Sequence, residues 1–228
     1  MWASRVLVAV VVLAGTARAD ELEVGGTVGG LSSTMKQTYP DCGPQPPGDD
    51  CVESLEAHAR RRGIATGMFV RYPLVRALLV QAELVYVQKG FEVTQPTFHV
   101  DYLELPLLLR IDPLRHQLPV RFAFAGGLAP ALRVRCQNSG SFFMAGAAVP
   151  YDEPCEDAPS VGRPMYPARF DLGVVVGASI AFDSTLGIFE LEARGERGLI
   201  DNGAWGPGGR TAFEAFYVRL GYAHVVRR

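Results

Sequence analysis

Several groups of side chains have the types and spacing to do chemistry, and each also has a plainer reading. His99 and Asp101 stand two residues apart, so on a strand they share a face, which would set a general base beside an orienting carboxylate. A rim histidine at a water boundary accounts for the same pair. Glu190, Glu192 and Glu196 have the look of paired acids for hydrolysis, but Arg194 stands among them and a salt-bridge ladder explains them more simply. Asp152, Glu153, Glu156 and Asp157 lack the ordered spacing of a calcium loop and read as a solvated acidic loop. Arg60-Arg61-Arg62 is a run of guanidinium groups, a type that pairs bidentately with phosphate. A solvated basic patch is its plain alternative. Cys42, Cys51, Cys136 and Cys155 show no C-x-x-C spacing and have no histidines beside them, which argues against zinc. They fit disulfides of an oxidising compartment. Four cysteines allow three pairings; Cys42–Cys51 and Cys136–Cys155 are favoured because each closes within one Pro/Gly-rich segment. No phosphate-binding glycine loop or nucleic-acid module is present, and a net charge of −2 is wrong for a binder driven by backbone phosphates. We expect no catalytic residue, metal or cofactor.

The elements that position these groups are strands. In His99–Ile111, Leu103, Leu105, Leu107, Leu109 and Ile111 alternate with Tyr102, Glu104 and Arg110. A period of two gives one aliphatic face and one charged face. The pattern repeats over residues 22–30, 63–72, 76–91, 119–133, 169–183, 187–199 and 211–224, which makes eight strands. Their connections run long, short, medium, short, long, short, medium. Short turns on one rim and long loops on the other suit an outer-membrane barrel, with both termini on the short-turn rim. Met1–Ala19 reads as a secretory signal, with Arg5, an apolar Val6–Leu13 stretch and Ala17-Arg18-Ala19 for cleavage. Loss of Arg5 and Arg18 would take the charge from −2 to −4. The remaining chain, 20–228, is expected to be one domain. It is all-β, an eight-stranded antiparallel up-and-down transmembrane barrel with long external loops and short periplasmic turns.

The charged faces define the lumen. Seven acids (Glu23, Glu83, Glu104, Asp171, Glu190, Glu192, Glu196) meet six bases (Arg71, Arg110, Arg121, Arg133, Arg194, Arg219). An eight-stranded barrel is just wide enough for side chains to fill, and buried charges must be paired. A salt-bridged, closed lumen follows. Pro106 removes a ladder donor inside a central strand, so a bulge or a missing bond is expected there. Aromatic residues near strand ends (Tyr72, Tyr86, Phe91, Phe98, Phe170, Phe182, Tyr222) suit interfacial girdles. Arg60–Arg62 would sit at the outer rim, at the level of lipopolysaccharide phosphates.

Tyr102–Arg110, read as YLELPLLLR, resembles the central strand of the PorT-like outer-membrane β-barrel family, with Pro106 at the family's proline. Glu83–Gly90 and Leu220-Gly221-Tyr222 are similar to two further strands of that family. The resemblance implies the barrel fold and no assigned chemistry. It fits a structural, anchoring or surface-interaction role exerted through the external loops, with outer-membrane lipid and lipopolysaccharide, the barrel assembly machinery during insertion and an external protein as partners. A lipid-modifying enzyme and a narrow transport or secretion-accessory barrel are the alternatives. A lipocalin-like carrier would need an apolar lumen, which the charged faces oppose.

Overall fold

The computed structural model describes residues 21–38, 59–92, 97–113, 119–144, 147–155, 167–200 and 210–227. The signal-like segment, Cys42 and Cys51 lie outside them. The described residues form ten strands: β1 (Glu21–Thr38), β2 (Ala59–Val75), β3 (Leu78–Glu92), β4 (Thr97–Glu104), β5 (Leu107–Ile111), β6 (Val120–Met144), β7 (Ala147–Pro154), β8 (Phe170–Ser184), β9 (Gly187–Gly198) and β10 (Arg210–Arg227). All pairings are antiparallel: β3 and β6 each pair with both β4 and β5, β6 pairs also with β7 and β8, and β1 closes on β10 from Glu21↔Arg227 to Thr38↔Arg210. The result is an eight-stranded antiparallel barrel in which β4 and β5 are two halves of one stave.

Pro106 causes that division. With no N–H at Pro106 the ladder breaks at Leu105–Pro106. The gap is closed from both sides: the Glu83 N–H donates to the Pro106 carbonyl at 2.9 Å and the Leu105 N–H to the Pro130 carbonyl at 2.8 Å. The in–out alternation runs through the break without a slip. Slippage occurs higher up. Asp101 pairs with Arg135 while Tyr102 pairs with Arg133, so Val134 is bulged out and the parity of β6 reverses above it.

Two-residue turns join β2 to β3 and β8 to β9. The second is completed by Gly187 at φ 145°, a backbone setting that favours glycine. Termini and tight turns share one rim, as the alternation of connections requires. Two expectations about length change. Strands β1 and β6 run well past residues 30 and 133, and residues 134–168, expected to be loop throughout, contain the β6–β7 hairpin. Outside the apolar belt the outward positions become polar, so the period-two hydrophobic signal disappears although the ladder goes on.

The outward face of the lower barrel is apolar. Met68, Val176, Leu220 and Phe124 are 61–64% exposed, and Leu103, Leu105, Leu107, Leu109 and Ile111 line the outside of β4–β5. Eight residues of strand at about 3.3 Å each, tilted by about 40°, give a belt about 20 Å tall. Water does not tolerate an uncovered apolar surface of that size.

Candidate functional site

Inside the belt every strand sends its alternate side chains to the axis, and these stack in charged layers. At the short-turn end Arg121 reaches Asp112 at 3.2 Å and Asp183 at 2.7 Å. Next, Arg71 bonds Glu190, contacts Glu23 at 3.5 Å, and donates from Nε to Gln81 at 2.5 Å. Arg110 joins this layer through Glu190 at 2.6 Å and the Ser179 hydroxyl at 2.9 Å. At mid-height two arginines grip two carboxylates. Arg194 holds Glu83 at 2.7 and 3.0 Å and Glu192 at 2.8 Å. Arg219 holds the same Glu83 at 3.1 Å and Glu192 at 2.5 Å. Above them Lys89 lies between Glu104 at 2.6 Å and Glu196 at 2.7 Å, and the Tyr217 hydroxyl donates to Glu196 at 2.5 Å. Every charged side chain in these layers except Asp183 is buried.

Small inward residues make room for the long ones. A Cβ at Gly29 would stand 2.6 Å from the Arg219 Cα and 2.9 Å from its Cγ, and one at Gly173 would stand 2.7 Å from a Glu196 oxygen.

Higher still, the lumen becomes apolar. Met35, Phe91, Phe98, Val100, Tyr102 and Phe213 pack into one cluster with the Cys136–Cys155 disulfide. Phe91 stacks on Phe98 with ring centroids 4.7 Å apart, and Phe213 lies 6.1 Å from Phe91 and 6.0 Å from Tyr102. Phe91 and Phe98 are therefore interior plugs and not girdle residues: they occupy inward positions of β3 and β4. Tyr72, Phe170, Phe182 and Tyr222 do face outward.

Of the candidate lumen residues, the layers bring together Glu23, Arg71, Glu83, Glu104, Arg110, Arg121, Glu190, Glu192, Arg194, Glu196 and Arg219. Arg133 stands apart at the upper rim, donating to the Pro167 carbonyl at 2.7 Å. Asp171 is buried and accepts the Leu172 N–H at 2.8 Å. Lys89, Gln81, Asp112, Ser179, Asp183 and Tyr217 are members that the sequence reading did not include. Lys89 and Gln81 share the inward parity of Glu83, which was the available signal; Asp112 was hidden because Asp-Pro reads as a turn.

At the upper rim the outward face turns polar. The Tyr86 hydroxyl donates to Asp101 at 2.8 Å, so that carboxylate is engaged by a phenol. His99 lies above the belt, where burial and the Arg61 guanidinium hold its imidazole below the usual range. The three arginines of the basic run diverge. Arg60 and Arg62 are exposed, and Arg60 edges an outer groove of about 350 Å³ with Val174, Val176, Phe216 and Arg197. Arg61 turns the other way, to the carbonyls of Lys89 at 3.4 Å and Phe98 at 3.3 Å.

The sequence matches the family described as outer membrane protein beta-barrel domain over residues 15–203. No curated protein matches it. Similar solved structures include OprG from Pseudomonas aeruginosa, with TM-score 0.48 and 10% identity over 92% of this chain and 98% of that one. Ail of Yersinia pestis, in complex with the heparin analogue sucrose octasulfate, gives TM-score 0.42 and 12% identity over 89% and 99%. AlkL in DMPC lipid bilayers gives 0.43 and 12% over 94% and 93%.

Proposed function

The chain belongs to the outer membrane protein beta-barrel domain family, and from that premise we propose that it is a closed barrel whose work is done at its outer face. The observation that carries this reading is the double stopper in the lumen, four charged layers topped by an aromatic cluster. A solute would have to break several buried ion pairs to pass, each costing about 3–5 kcal/mol when one partner is removed. The role is structural, anchoring or surface-interacting. Its partners are outer-leaflet lipopolysaccharide, which Arg60 and Arg62 face, and an external protein met by the connections of the upper rim. The PorT-like strand Tyr102–Arg110 supports placement in that branch of the family, and Met1–Ala19 would be the export signal removed before insertion by the assembly machinery. A non-enzymatic role is favoured because Asp101, the carboxylate two residues from His99 on the same strand, is engaged by Tyr86.

The test is ion conductance in a planar bilayer by the refolded mature chain, with heat-modifiable gel migration to show that it has folded. Folded protein with no steady conductance is expected. A stable conducting state in wild-type protein would refute the closed lumen and favour the narrow transport reading.

A further inference from the structure

The topmost charged layer does not balance. At mid-height two guanidiniums, Arg194 and Arg219, meet two carboxylates, Glu83 and Glu192. In the layer above, the single ammonium of Lys89 lies between two carboxylates, Glu104 at 2.6 Å and Glu196 at 2.7 Å, and all three side chains are only 1–4% exposed. With both carboxylates ionised, this layer would hold one surplus negative charge away from water. An unmatched buried carboxylate is costly, and uptake of a proton removes the cost.

Among the described residues, the groups around the layer do not supply the missing cation. From β9 and β10 below, Arg194 and Arg219 are already matched by Glu83 and Glu192. From β1 and β2 come the apolar Leu31 and Ala65, packed with Tyr217 of β10. Above, Tyr102 of β4 lays its ring over Lys89, with Nζ 5.4 Å from the centroid. Arg133 of β6 and Asp171 of β8 act on Tyr102 from its far side as one charge of each sign. The two carboxylates of the layer are not equivalent. Glu196 accepts from Lys89 Nζ and, at 2.5 Å, from the Tyr217 hydroxyl. Glu104 has the ammonium contact alone, and its Oε1 is not aligned to accept a hydrogen bond there.

We propose that the Lys89–Glu104–Glu196 layer is a proton-holding site, with the proton on Glu104, and that it works as a pH-sensitive clip between the ion-pair lattice and the aromatic cap. The proton comes from solvent as the barrel closes, and the layer goes from one surplus negative charge to none. Tyr102 couples the layer to the cap, because the ring that covers Lys89 also stands 6.0 Å from Phe213 in the aromatic cluster. Loss of the proton puts a bare carboxylate beneath that cluster, so alkaline solution loosens the upper barrel and leaves the belt standing. The open chain, with a glutamate value of about 4.3, does not hold this proton at neutral pH. Stability from the site is therefore full below that value. Above it the folded-to-unfolded ratio falls about tenfold per pH unit, until the layer gives the proton up.

The test uses the full mature chain refolded in lipid vesicles. Infrared spectroscopy at neutral pH reads the carbonyl stretch of a protonated carboxyl, and urea unfolding is followed across the neutral range into alkaline solution. Wild type should show the protonated-carboxyl band. Glu104→Gln should lose it, and so should Glu196→Gln, because one carboxylate then matches Lys89; Asp171→Asn should keep it. Relative to Glu104→Gln, wild type should lose about tenfold in folded-to-unfolded ratio per pH unit, a difference in which His99 and every other shared group cancels. A wild-type spectrum without the band, a band lost only in Asp171→Asn, or parallel pH curves for wild type and Glu104→Gln overturns the proposal. A Glu104→Gln chain that does not refold counts against a neutral Glu104, and the wild-type and Glu196→Gln spectra then decide independently.

Discussion

Replacing Arg194 by alanine tests whether the lumen is held by charge pairing. Arg194 makes a bidentate contact with Glu83 and a further one with Glu192, and Arg219 bonds both of the same carboxylates. Without Arg194, two buried carboxylates must share one guanidinium. Breaking a buried pair by removing one partner costs about 3–5 kcal/mol. With a urea m-value of about 2 kcal/mol/M, the midpoint should fall by about 1.5–2.5 M. The second variant, Arg194→Ala with Glu192→Ala, removes one charge of each sign and leaves Glu83 with Arg219. It should be more stable than the sum of its single variants by about 0.5–3 kcal/mol. The assay is reversible urea unfolding in lipid vesicles, followed by tryptophan fluorescence and by migration on an unheated gel. A single variant within about 0.5 kcal/mol of wild type, or a double variant that costs the full sum, would refute the argument that the layers stand because their charges are matched.

Three further outcomes follow from the same geometry. Met68 lies midway along the outward apolar run of β2 and is 64% exposed, so Met68→Arg should cost about 2–4 kcal/mol in bilayer refolding, whereas Met68→Leu changes little. His99 is protonated less readily in the fold than in the open chain. Its contribution to stability is therefore constant above the unfolded value of about 6.5 and is lost as pH falls through the lowered folded value; an NMR titration midpoint at or above the ordinary one would contradict this. Cys136 and Cys155, 19 residues apart, tie the base of the β6–β7 hairpin. Changing both to serine removes up to about 3 kcal/mol of loop constraint; proteolysis within 137–155 should accelerate while heat-modifiable migration of the barrel survives.

How much of this was legible in the sequence depends on the level in the barrel. Where lipid-facing and lumen-facing sets alternate, as in Leu103–Ile111 or Val174–Phe182, the period of two fixes both faces, so the strand count, the closure and most of the charged layers could be read. Legibility ends where the contrast ends. The upper parts of β1 and β6 place Ser32, Thr34 and Gln137 outward, a composition that looks like loop. Phe91 and Phe98 suggested girdles because they lie near strand ends, but their parity puts them inward, and parity decides. The Val134 bulge leaves no mark in composition, and it alone separates the inward Arg133 from the outward Arg135. The Arg60–Arg62 run shows the same limit: equal chemistry, with Arg61 on the opposite face from its neighbours.

The two halves of the barrel invert each other, and the inversion fixes where the membrane ends. In the lower part the outside is apolar and the inside charged. Above the level of Leu103 the outside carries Gln88, His99, Asp101 and Arg135, while the inside carries Phe91, Phe98, Val100 and Phe213. At belt depth a charge can be satisfied only by another protein group, so the interior must be an ion-pair lattice. Above it, water solvates the outer face, and the ordinary hydrophobic effect rewards burial of aromatics in the lumen, at about 1.5–3 kcal/mol for each phenylalanine-sized side chain. The upper barrel is thus built as a soluble protein is built, on staves continuous with a membrane-spanning one. Its polar outer face cannot serve to hold the protein in lipid, because the belt below already does so.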